Sequence, residues 1–149
     1  MLQYTSVLKA HYQDALEKLM FFNPGQKNAL LSIMESIESF GNPCVVLDGD
    51  NLRVKVDKLD EVQSLFALDG NTLVGVIIYS RTDNSCFCVL HIAVEESYSN
   101  NGIHANKLLV PRLINVVRNS AARVKDVEIV RVIDNNRQVK DYPVTKKQK

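Results

Sequence analysis

Apolar and polar positions follow two rhythms along this chain. "LQYTSV" at residues 2–7 reads as a short strand, and Leu8, Tyr12, Leu16, Leu19 and Met20 then recur at helical spacing until "NPG" ends the run. Leu30, Leu31, Ile33, Met34 and Ile37 form a second stripe, which predicts a helix over residues 26–40 closed by "GNP". Each helix has one apolar face and is expected to cover a core.

From Cys44 the period shortens to two. "CVVL-DGDN-LRVKV" sets two β-prone runs on either side of a turn-rich tetrapeptide, and "VQSLFAL-DGN-TLVGVIIYS" repeats the arrangement. Each predicts a hairpin, with Asp-Gly as the turn. "CFCVLHIAV" is apolar almost throughout, the pattern of a central strand covered on both faces. A polar loop around Gly102 follows, and then a helix expected over residues 103–119, kinked at Pro111. "DVEIVRVI" at residues 126–133 reads as a further strand. Antiparallel hairpins followed by strand–loop–helix–strand imply an α+β fold, a mostly antiparallel mixed sheet with two N-terminal helices and a parallel pair at the crossover.

"DNNRQVKDYPVTKKQK" then leaves room for one short helix, so the strand over residues 126–133 is expected at an edge. Its apolar Val127, Ile129, Val130 and Val132 would be open to a second copy of the chain, in a symmetric homodimer. The expected organisation is a single domain over residues 1–141 and a basic, disordered tail over residues 142–149.

Composition narrows the function classes. With 149 residues, 46% of them hydrophobic, the chain can bury one real core. No apolar run reaches the ~18 residues of a membrane span, and no secretory pattern opens the sequence. Cys44, Cys86 and Cys88 are odd in number and lack the paired spacing of a zinc site, which fits a reducing cytoplasm. Cys86 and Cys88 fall in the apolar run and read as small buried hydrophobes, not nucleophiles. Residues 1–106 hold 7 Lys+Arg against 13 Asp+Glu, a net of −6, and residues 107–149 hold 11 against 4, a net of +7. The basic part carries neither interleaved aromatics nor a groove-reading motif, so nucleic acid is not the expected partner.

The stretch "VEESYSNNGIHANKLL" at residues 94–109 carries the most chemistry. A strand that turns into a helix leaves the first helical N–H groups without intrahelical partners, and the helix dipole adds to them an attraction for anions. Together with "FALDGNTLVGVIIYS", this stretch resembles the GNAT superfamily of N-acetyltransferases, whose motif A reads roughly V-x-P-x-Y-R-x-x-G-x-G/A before a helix. Val94, Tyr98, Gly102, Ile103 and Leu108 match by spacing, and Gly75 takes the place of a glycine frequent in the preceding strand. Ser99 stands where the family carries a basic residue or glutamine, and His104 where glycine or alanine is usual.

The resemblance implies acetyl-CoA as cofactor, and a CoA thioester and an amine acceptor as the molecules the protein meets. It implies that Ile92, Ala93 and Val94 line the pantetheine arm, and that the amides of Asn100, Asn101, Gly102, Ile103 and His104 receive the pyrophosphate. Glu95 and Glu96, just past the strand, are candidate bases for the amine. Tyr142, seven residues after Asn135, has the spacing of the family's tyrosine acid, which protonates the departing thiolate. His91 is either a base or a hydrogen-bonded sheet histidine. The other outcome of the resemblance is a domain that keeps the fold and works as a binding or assembly module without turnover.

Overall fold

The computed structural model describes residues 2–21, 37–38, 40–99, 102–133 and 139–144. The first strand, β1, is Leu2–Thr5, and a turn of 3₁₀ helix at Ala10–Tyr12 leads into α1 at Gln13–Phe21. Leu16, Leu19 and Met20 form its buried stripe. Most of the helix expected over residues 26–40 lies outside the described residues; Ile37, Glu38 and Phe40 are helical.

Two hairpins follow. β2 (Pro43–Asp48) pairs with β3 (Asn51–Val56), and β4 (Gln63–Asp69) pairs with β5 (Thr72–Asp83). Gly49 and Gly70 open the two-residue turns with φ of 64° and 62°, a conformation that a side chain would strain. In β3 the inward Leu52, Val54 and Val56 alternate with exposed Arg53 and Lys55, as one-sided cover demands. β6 (Cys86–Val94) is antiparallel to β5 and buried at nearly every position, which explains its unbroken apolar run.

β6 leads through a loop into α2 (Leu109–Ala121) and then into β7 (Ile129–Ile133), which is parallel to β6. β8 (Val139–Pro143) returns antiparallel to β7, and the main sheet runs β1-β4-β5-β6-β7-β8. α2 covers one face: Leu109, Leu113, Ile114, Val117 and Ala121 pack with Ala67, Ile77, Tyr79, Phe87 and Val130. α1 and the β2–β3 hairpin cover the other, where Leu16, Leu19, Val54 and Val56 meet Phe66, Val76, Ile78 and Leu90. Among the described residues, no helix is long and apolar enough to cross a membrane.

Several expectations need correction. The helix expected from residue 103 begins at Leu109, so Pro111 falls in its first turn, where the missing N–H breaks no intrahelical bond. The strand expected from residue 126 begins at Ile129, because Asp126 adopts a left-handed turn with φ 70°. Where a short helix was expected to end the fold, β8 forms instead, and Tyr142 and Pro143 belong to the sheet rather than to a tail. β8 also covers the edge of β7, which removes the reason given for a homodimer.

Candidate functional site

The ladder between β6 and β7 is short. It joins Cys86, Phe87 and Cys88 to Ile129, Val130 and Arg131, and no pairing between the two strands continues beyond it among the described residues. Just past this point β6 carries an extra residue: Ile78 pairs with His91 and Tyr79 with Val89, which leaves Leu90 as a bulge. A bulge bends its strand and increases its twist. The bend therefore coincides with the parting of β6 from β7, and residues 89–94 run on toward the loop beside α2. Ala93 turns toward the α1 layer, while Ile92 and Val94 turn toward α2.

The path from strand to helix is less direct than the sequence suggests. Glu96–Tyr98 and Ala105–Lys107 are single turns of 3₁₀ helix, and Leu108 adopts φ 54° and ψ 48° before α2 starts. The loop satisfies much of its own backbone: Gly102 N–H donates to Ser99 O (2.9 Å), His104 N–H to Ser97 O (2.7 Å) and Ala105 N–H to Gly102 O (3.1 Å). In this conformation the Gly102 and His104 amides, expected to receive pyrophosphate, are thus engaged within the loop. Asn100 and Asn101 lie outside the described residues. Ile103 carries a highly exposed side chain. Gly102 is required by close approach: a Cβ there would fall on the Ser97 carbonyl group.

A cluster missed at the sequence level ties this loop to the sheet. Asp69, the last residue of β4, accepts the Tyr98 hydroxyl on Oδ2 and pairs with Lys107 Nζ at 3.3 Å. The Tyr98 ring lies 4.8 Å from the His104 ring, and Lys107 Nζ stands 5.4 Å from its centroid. The Tyr98 hydroxyl above all, with the Lys107 ammonium among the further causes, holds the Asp69 carboxyl far below the usual carboxylate range. The same hydrogen bond, with some burial, pushes the Tyr98 phenol up to about 12. Asp69 reads in sequence as a turn residue, and only its partners, 29 and 38 positions away, reveal it as anything more.

The candidate catalytic residues are scattered. Glu95 is half-buried and caps the adjacent 3₁₀ turn, its Oε2 accepting from the Ser97 hydroxyl and from Ser97 N–H (3.2 Å). Glu96 is exposed at the strand end. Tyr142 stands opposite Val130, which pairs with Phe87, and its ring faces the Arg118 guanidinium at 5.7 Å. Phe87 and Val94 lie seven residue steps apart in β6, about 23 Å of strand, so the chain's return as β8 carries Tyr142 away from the loop. His91 is buried, hydrogen-bonded to the Met20 backbone and lowered to about 4 by burial, which makes it the sheet histidine of the two readings. Cys86 and Cys88 are buried free thiols, with Cys88 pushed up to about 11 by burial. Among the described residues, no group of three or more His, Cys, Asp or Glu is gathered to hold a metal.

No protein-family model matches this sequence, and no curated protein does. Among solved structures, one described as an acetyltransferase of the GNAT family from Desulfovibrio desulfuricans superposes with a TM-score of 0.43 at 12% identity, over 89% of this chain and 72% of that one.

Proposed function

We propose that this chain binds acetyl-CoA in the manner of a GNAT-like N-acyltransferase and passes the acetyl group to an amine. The observation that carries the reading is the parting of β6 from β7 after Cys88, from which residues 89–94 run on toward the loop and the start of α2. Where a strand leaves its neighbour, the N–H and C=O groups that alternate along its edge suit the secondary amides of an extended pantetheine arm in the way they suit an added strand. Ile92, Ala93 and Val94 are assigned to that arm. Asn100, Asn101, Gly102, Ile103 and His104 are assigned to the pyrophosphate, with the opening amides of α2 behind them. The Gly102 and His104 amides serve it once they exchange their bonds to Ser99 and Ser97.

The transfer asks little of the protein beyond orientation. The amine lone pair adds to the acyl carbonyl, the amine proton passes to a carboxylate, and the C–S bond breaks to leave a thiolate that takes its proton from water. Glu96 suits the base role better than Glu95, whose carboxylate is occupied by Ser97. A reducing, cytoplasmic setting accords with the free cysteines.

The engagement of Glu95 and the remoteness of Tyr142 favour a second reading, a binding module that holds the CoA thioester without turnover. Calorimetric titration with acetyl-CoA, with desulfo-CoA as control, tests both. Micromolar affinity with thiol release on adding amines supports the enzyme, and affinity without release supports the module. Absence of heat with either ligand overturns both.

A further inference from the structure

We propose that Asp69 is an autoinhibitory latch, which clamps Tyr98 and Lys107 and so withholds the loop's cation and amides from a phosphate-bearing ligand. The inference rests on the reading of this loop as an anion site. Its geometry is specific. Tyr98 and Lys107 lie on either side of Gly102, so one carboxylate anchored at the end of β4 grips both halves of the loop. The halves also meet through the Tyr98 ring, which His104 contacts from the far side of Gly102. Within that grip, His104 N–H is spent on Ser97 O and Gly102 N–H on Ser99 O.

Apolar burial holds the first half of this loop, where the Tyr98 ring enters the core, more than the second. Ile103 and Leu108 are both exposed, and Leu108 sits in a left-handed conformation that a leucine adopts only under strain. Beside the buried Tyr98 ring and the Glu95 N–H bond to Val74 O, Asp69 supplies side-chain contacts that tie both halves of the loop to the sheet. Lys107 is the loop's cation, two positions before α2, and Asp69 neutralises it at 3.3 Å. A phosphate at Lys107 competes with that carboxylate for the ammonium. The apparent affinity for the ligand is then reduced by the small fraction of molecules in the released form.

Amide exchange and calorimetry on the full chain test the latch, using Asp69→Ala, Tyr98→Phe and the double variant Asp69→Ala/Lys107→Gln, with CoA and inorganic pyrophosphate as probes. Asp69→Ala should raise exchange at the Gly102 and His104 amides by about tenfold or more, leaving the β5–β6 amides of Ile77 and Val89 as they are. It should also tighten anion binding several-fold, a gain that the double variant loses. If exchange at Ile77 and Val89 rises as well, Tyr98→Phe, which removes only the hydroxyl, decides by the same loop readout. Unchanged loop exchange, or faster exchange with no gain for either anion, overturns the latch. A gain for pyrophosphate with no CoA binding in any form supports the latch and overturns the CoA reading.

Discussion

The His91 imidazole lies in the sheet against the α1 layer, bonded to the Met20 backbone, and burial lowers its pKa from 6.5 to about 4. The folded protein therefore keeps it neutral while the unfolded chain protonates near 6.5, so the stability it confers is complete above that pH. That stability is lost progressively as pH falls from about 6.5 to about 4, on the order of 3 kcal/mol in all. Denaturant titrations across that range should show the decline, and His91→Gln, which can still donate to Met20, should flatten it. An equally steep decline in the variant would mean that other groups titrate there. Gly102 is the second residue whose surroundings dictate its identity, since a methyl group would overlap the Ser97 carbonyl. Gly102→Ala should lower stability by about 1–3 kcal/mol, read from the denaturation midpoint at unchanged m-value, because the loop must give up its tight turn.

At the scale of elements, α2 is positioned by another close approach. A Cβ on Gly75 would stand 3.1 Å from Leu109 Cδ2 and 3.3 Å from Leu113 Cδ1, so Gly75→Ala should lift the first turns of α2 from the sheet. A cost of about 1–3 kcal/mol is expected, with chemical-shift changes concentrated at Leu109 and Leu113. Such contacts separate what the sequence displays from what it hides. Hairpins and the central strand are legible because Asp-Gly turns and two-residue alternation are local rules, and β3 and β6 obey them. The start of α2 misleads because Ile103 and Leu108 continue the helical apolar spacing, although both face solvent. β8 hides because "VKDYP" buries only part of one side, through Tyr142. The site was legible as a stretch of chain and not as an arrangement. Motif spacing finds residues 94–109, but it does not reveal that Ser97 and Ser99 carbonyls take the loop amides, nor that Asp69 reaches across to Tyr98.

For the molecule as a whole, β8 decides how the sheet ends. Part of the basic excess of residues 107–149 is spent on holding it there. Arg131 forks onto Asp141 at 2.8 and 3.1 Å, and Arg118 donates to the Pro143 carbonyl while its guanidinium covers the Tyr142 ring. These contacts lie at the surface, so each one is weak, but together they set β8 in register along all of β7. A chain ending at residue 138 would lose both the pairing and the clamp. It would bare the backbone edge of β7 beside the apolar Val130 and Val132, the kind of edge that recruits strands from other molecules. Sedimentation at equal concentrations should find the shortened chain more associated than the full one. The difference should persist between about 0.15 M and about 0.5 M salt, because backbone pairing is screened far less than attraction between the acidic and basic parts. Equal masses would show that β8 does not protect the edge, and association that vanishes in high salt would assign it to charge instead.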